Sequence, residues 1–339
     1  MPLAKIQFAP GVNKEGTEYT ADSGWFDSDK IRFRQGRPEK IGGWEKYSQN
    51  YFLGVCRSIH DWASLEAIKY IGLGTNLKFY VNEGNVFNDV TPIRATTTNG
   101  ITFAATDGSS VITATDSSHG CAVNDFVTFS DAVSLGGLIT APVLNQEYQI
   151  ASVPTANTYT IVAKDTAGDV VVANSSDTGN GGSGVDGAYQ INTGLNAVVQ
   201  SSGWGTNSWG SGGFGSATSI ASGGQLRLYS QDNFGEDLLF NPRGGGIYYW
   251  DESSGTSARA VNVTTLGGAS DAPVVALQVM VSDIDQHVIA FGTNPIGSSN
   301  IDPLFVRFSD QENVADWTPR ATNTAGGTRI NSGSQIIGA

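Results

Sequence analysis

The sequence predicts an all-β protein, in which propeller-like sheets carry an inserted small β-barrel or sandwich. Three observations lead there. Apolar residues recur with a period near two, as in Gln225-Leu226-Arg227-Leu228-Tyr229 and Phe305-Val306-Arg307-Phe308, far more often than near 3.6. Gly, Asn, Asp and Pro interrupt these β-branched and aromatic runs every ten or so residues. Charge also changes in steps along the chain. Residues 1–94 hold 12 basic and 11 acidic side chains, residues 95–190 hold one (Lys164) and nine, and residues 191–339 hold six and twelve. A charge step that coincides with a change in composition marks a domain boundary, which gives segments 1–94, 95–190 and 191–339.

Taken in order, residues 1–50 read as an extended arm. Within it Arg32 and Arg34 alternate with Ile31 and Phe33, as in a strand with one charged face. Asp61 to Lys69 has some helical spacing but is short enough to be a strand connection. The first repeat unit follows: Ile71 to Thr75, Leu77 to Val81, Gly84, then Asp89-Val90-Thr91-Pro92. A second runs through Glu236 to Phe240, Gly244-Gly245-Gly246 and Ile247 to Asp251, and a third through His287 to Gly292, Phe305 to Asp310 and Asp316-Trp317-Thr318-Pro319. A strand, a Gly-bearing turn, an aromatic strand and an acidic or Pro terminus make the repeating pattern of propeller blades. At about 40–50 residues per blade, the length outside the middle segment suggests about four. The last residues, Gly333 to Ala339, resemble the opening of a strand, so further chain or a partner subunit is expected to complete the domain.

The middle segment alternates over Val111 to Thr115, Asp125 to Ser130, Glu147 to Ile150 and Asn157 to Val162, enough for one small barrel or sandwich. Its Gly-rich exit, Asn180 to Gly184, suits a flexible return from a protruding module. Next comes a stretch in which Trp204, Trp209 and Phe214 recur every five residues, each followed by Gly. So much Gly disfavours regular structure, and the rings would either dock into a neighbouring subunit or fold back on their own domain.

Chemistry finds few footholds. His60, His119 and His287 are scattered, none with a Cys or second His at ligand spacing, so no metal site is expected. There is no phosphate-binding Gly loop, dinucleotide fingerprint or nucleophile elbow, and no cofactor is implied. Asp283, Asp285 and the acids from Asp232 to Asp237 read as solvated turns. Ser309-Asp310-Gln311-Glu312 through Trp317 partly resembles the Ser-x-Asp-x-Gly-x-x-Trp turn of sialidases, but it lacks the Gly and the spacing and occurs once. The six arginines of residues 191–339 are spread too widely for a sugar-carboxylate site, so catalysis is not expected. Cys56 and Cys121 cannot build a disulfide framework. The longest apolar run, Val274 to Val281, is broken by Gln278 and far short of a membrane span, and Met-Pro-Leu-Ala-Lys lacks the layout of a signal peptide. A net charge of −13 disfavours phosphate-backbone binding. The basic cluster Arg32, Arg34, Arg37, Lys40 and Lys46 is offset by Asp27, Asp29, Glu39 and Glu45, which favours interface or internal ion pairing.

Asp29 to Trp44 (DKIRFRQGRPEKIGGW) resembles the N-terminal signature of tail nozzle proteins of short-tailed bacteriophages, also called tail tubular protein B or packaged-DNA stabilisation proteins. Asp89-Val90-Thr91-Pro92, Asn233 to Asp237 with Tyr249-Trp250-Asp251, the Trp-Gly and Phe-Gly stretch, and Ser309-Asp310 with Asp316 to Pro319 are similar to later blocks of that family. Residues 95–190 lie outside this likeness and resemble small β inserts of phage structural proteins, through Ser118-His119-Gly120, Asn124 to Phe129 and Asn157 to Ile161. The resemblance implies a propeller-bearing virion tail protein, assembled in the host cytoplasm. It implies a six-fold homo-oligomer below portal and adaptor, with an inserted module facing tail fibres, through which double-stranded DNA passes without specific binding. Arg32, Arg34, Arg37, Trp204, Trp209 and Phe214 are then the candidate subunit contacts. The alternative is a receptor- or glycan-binding tail protein acting through the insert.

Overall fold

The computed structural model describes residues 9–17, 19, 24–194 and 226–338. The chain divides into two compact units, Met1–Gln49 and Asn50–Ala339. In the first, β1 (Ile31–Arg34) and β2 (Arg37–Lys40) form a hairpin with Arg34 opposite Arg37. Ile31 and Phe33 are half-buried, with Phe33 against Trp25 at 6.2 Å, while Arg32 and Arg34 face solvent.

The second unit begins with a four-stranded antiparallel sheet in simple up-and-down order: β3 (Cys56–Ala63), β4 (Lys69–Thr75), β5 (Phe79–Glu83) and β6 (Val86–Asp89). The helical alternative for Asp61 to Lys69 does not form: Asp61–Ala63 ends β3, and Ser64 to Ile68 makes the turn, closed by Ser64 N–H to the Ile68 carbonyl. Trp62 and Tyr70 oppose one another across the two strands, so cross-strand ring packing wins over a single helical turn.

The chain then enters the insert. Its first sheet is ordered β11-β10-β15-β7 and its second β12-β13-β9-β8-β14. In chain order the elements are β7 (Ile93–Thr97), β8 (Thr102–Ala105), β9 (Val111–Thr115), β10 (Phe126–Ser130), α1 (Ala141–Leu144), β11 (Glu147–Gln149), β12 (Ser152–Thr155), β13 (Thr158–Val162), β14 (Asp177–Asn180) and β15 (Asp186–Gln190). The two sheets enclose one core that includes Phe103, Ile112, Phe129, Leu144, Tyr159 and Tyr189, so the module is a sandwich. Tyr159 and Tyr189 join hydroxyls across the two sheets at 2.9 Å, and Tyr189 donates on to the buried Asp116. The run Asn180 to Gly184 is not a flexible return. It is an inner turn: Val133 donates to the Gly181 carbonyl at 2.7 Å, and a Cβ on Gly181 (φ +103°) would lie 2.6 Å from the Phe103 ring. Glycine is needed there for both conformation and space. The insert leaves beside its entry, with Gln190 opposite Ile93 and Ile191 donating to Pro92.

Two further up-and-down sheets follow: β16 (Tyr229–Phe234), β17 (Asp237–Pro242), β18 (Tyr248–Trp250) and β19 (Val261–Asn262); then β20 (Gln278–Val281), β21 (Val288–Phe291), β22 (Phe305–Phe308) and β23 (Gly326–Arg329). The three up-and-down sheets outside the insert stack face to face, as blades do. Strand alternation sorts the side chains. Leu238 and Phe240 of β17 turn to the first blade, where Phe240 stacks on Phe79 at 3.7 Å; Leu239 turns to the third, against Val279, Val288 and Trp317. Three blades stand among the described residues where sequence length suggested about four. The fold is all-β, propeller-like and open, with a sandwich inserted after the first blade.

Candidate functional site

A cluster of four charged side chains sits where blades and insert meet. Lys78, at the foot of β5, is 4% exposed; its ammonium lies 2.7 Å from Asp89 and also pairs with Glu147 of the insert. Arg259, from the second blade, reaches Asp89 at 3.4 Å, Glu147 at 3.9 Å and the Thr91 carbonyl at 2.7 Å. Gln190 completes the set by donating to Glu147, and Lys78 lies 4.5 Å above the Phe126 ring. Burial alone would raise the Asp89 carboxyl; the Lys78 and Arg259 charges outweigh it and hold Asp89 below its ordinary value. Two cations matched by two carboxylates, tied to three parts of the chain, clamp the insert in one orientation. Nothing in the sequence singled out Lys78 beyond its being a lone cation in the apolar run from Leu77 to Val81.

A second constellation runs along the first strands of the blades. Ser230 and Asp232 of β16 accept from the backbone N–H groups of Val279 and Val281 in β20, at 2.9 and 2.7 Å. On the other side Gln231 donates to Ser58, and His60 meets Asn233 at 2.6 Å. The first strand of each blade is a sheet edge, and these side chains satisfy groups that would otherwise invite strand addition. The cleft they border, about 400 Å³, is lined by Ser58, His60, Gln231, Asp232, Gln278 and Met280 among others. Its polar groups are largely spent on fastening blade to blade.

The sequence-derived contact residues fall in two places. Arg32, Arg34 and Arg37 stand exposed on the β1–β2 hairpin, with Arg32 paired to Glu39 at 3.3 Å. Trp204, Trp209 and Phe214 lie outside the described residues. Exposed aromatics do occur beside the hairpin: Trp44 and Tyr47 are open to solvent.

The histidines are spent separately, His60 on Asn233, His119 between the Cys121 N–H and the Thr155 carbonyl, and His287 on the Ser309 carbonyl. Among the described residues no group of three or more His, Cys, Asp or Glu is placed to hold a metal. Burial pushes the Cys121 thiol up to about 12, against the pull of Arg94, which removes it as a nucleophile at neutral pH. In the turn with partial likeness to sialidases, Asp310 accepts from the Thr324 N–H and hydroxyl, both at 2.8 Å, and Trp317 is fully buried beneath Arg307. No described helix is long and apolar enough to cross a membrane.

No family model and no curated protein matches the chain. Among solved structures it is similar to the phage phi92 endosialidase, with a TM-score of 0.23 and 12% identity over 88% of this chain. The chain spans 41% of the length of that protein. A superposition this loose transfers neither arrangement nor activity.

Proposed function

We propose that this chain is a structural, non-enzymatic subunit of a short-tailed phage nozzle, forming a six-fold ring below the portal and adaptor that retains the genome and conducts it during ejection. The partition of charge carries this reading. Residues 50–339 hold 11 basic and 25 acidic side chains. Several of the basic ones are internally consumed: Lys78 and Arg307 are buried against carboxylates, and Arg259 is turned to Asp89. The outward body is therefore acidic, while residues 30–40 carry five cations against Glu39 alone. A conduit gains from that division. Phosphate contacts on its wall would add friction and salt-dependent retention, whereas an acidic wall repels the polyanion. The exposed basic hairpin suits the acidic body of a neighbouring copy. Five sequence blocks in the order found in nozzle proteins add support, and the first of them spans the hairpin.

The test is the position of the chain in the particle. Labelled protein in purified tails should appear as a six-fold ring coaxial with the portal. A trimeric appendage at the periphery would support the receptor-binding alternative instead, and release of reducing ends from host surface polysaccharide would reject the non-enzymatic reading.

A further inference from the structure

The two ends of the blade stack differ from its interior in one respect: each presents a sheet face with no blade against it among the described residues. On the third blade, strand register puts Met280, Ile289, Phe291, Val306 and Phe308 on the face turned away from the second blade, all only partly covered. On the first blade the outward face is divided. Phe52 covers the β5–β6 half, 5.1 Å from Phe87 and 6.2 Å from Tyr80. The β3–β4 half stays open, with Ile59 67% exposed and Ile71 and Lys69 on the same face.

We propose that the open face of the third blade seats the open β3–β4 face of the first blade in a second copy of this chain, head to tail. Three features favour a second copy as the occupant. The stacking rule is directional: β3, β16 and β20 follow one another in parallel, with Ser58 meeting Gln231 and then Ser230 meeting Val279. The partner for β20 is therefore another first strand of the same kind, and among the described blades β3 is the first strand with none on its outer side. The turns also match. At the junction of the first two blades the Leu65 N–H donates to the Glu236 carboxylate, turn against turn. The same step past the third blade would bring its turn, with Asp283, Asp285 and the 88%-exposed Ile284, beside Leu65 (91% exposed) and Lys69, which has no ion-pair partner among the described residues. Finally, the two end faces of the three described blades are apolar, like the faces that pack against one another inside the stack. A contact between two different faces is heterologous, so it builds a ring when its rotation closes. This inference stands on blade geometry: a tail subunit joined through other surfaces would leave the nozzle reading intact.

The experiment uses the full chain and light scattering after size exclusion. Wild type should run at two or more times 35.6 kDa. Ile289→Glu and Ile59→Lys, each on one of the two faces, should run as monomers with an unchanged β-sheet circular dichroism spectrum. Mixed one to one, they should associate, because the intact third-blade face of Ile59→Lys can seat the intact first-blade face of Ile289→Glu. Thr328→Arg, at an exposed site on the third-blade face, replaces Ile289→Glu should the latter fail to fold; it should also run as a monomer. Monomeric wild type, assembly of either single variant, or a mixture that stays monomeric would each overturn the proposal.

Discussion

Replacing Lys78 by Met tests how the insert is held. The change keeps most of the side-chain volume but leaves Asp89 and Glu147 facing each other, with Arg259, about a third exposed, as the remaining cation. Breaking a buried ion pair by removing one partner costs about 3–5 kcal/mol. Both carboxylates keep some access to water (23% and 30% exposed), so the lower end, about 3 kcal/mol, is the sounder figure. For a large unit one kcal/mol moves the melting temperature by roughly 2 °C, giving a drop of about 6 °C. Glu147→Gln should cost only about 1 kcal/mol, since Lys78 keeps Asp89 at 2.7 Å. The pair is non-additive: the double variant should recover part of the Lys78→Met loss, because the repulsion that loss exposes is gone. Differential scanning calorimetry reads all three. A Lys78→Met protein within 1 °C of wild type would refute the clamp. Acid adds an independent check. The folded Asp89 carboxyl sits below its unfolded value, so its contribution is complete above about pH 4 and fades as pH falls through the folded value. Lys78→Met should flatten that part of the stability curve.

Gly74→Ala should destabilise the fold by about 1–3 kcal/mol in denaturant titration, because the new methyl would lie 2.5 Å from the Tyr229 ring and the second blade could not approach. Thiol labelling should find one fast cysteine, the exposed Cys56, and one slow, since the half-buried Cys121 stays protonated; Cys56→Ser should abolish the fast phase. Fluorescence anisotropy should detect no double-stranded DNA binding at physiological salt, and micromolar affinity there would count against the conduit reading.

Much of the fold was legible because strand alternation is a local property. Val111–Thr115 is a strand at the bounds the sequence suggests, and Asp237–Pro242 and Val288–Phe291 lie within a residue or two of theirs. The first strand of the first blade was not legible. Cys56–Ala63 mixes Arg, Ser, His and Asp into its run, because its polar side chains face a neighbouring blade's side chains instead of an apolar core. Gly72 and Gly74 carried a readable signal, since glycine inside a strand marks close approach, but not what approaches: Gln231 with Leu238, and Tyr229. The clamp was hidden for a different reason. Lys78, Glu147 and Arg259 are far apart in the chain, and only the return of the insert beside its entry brings them together. Arg32 and Arg34 were readable as one charged face, because a hairpin's alternation needs no distant partner.

The most direct measurement is a three-dimensional reconstruction of purified tails containing this chain. A nozzle subunit should give a ring coaxial with the portal, with acidic side chains along its lumen and the Arg32–Arg37 hairpins set between neighbouring copies. Density confined to a peripheral fibre, or a lumen lined mainly by arginine and lysine, would contradict it.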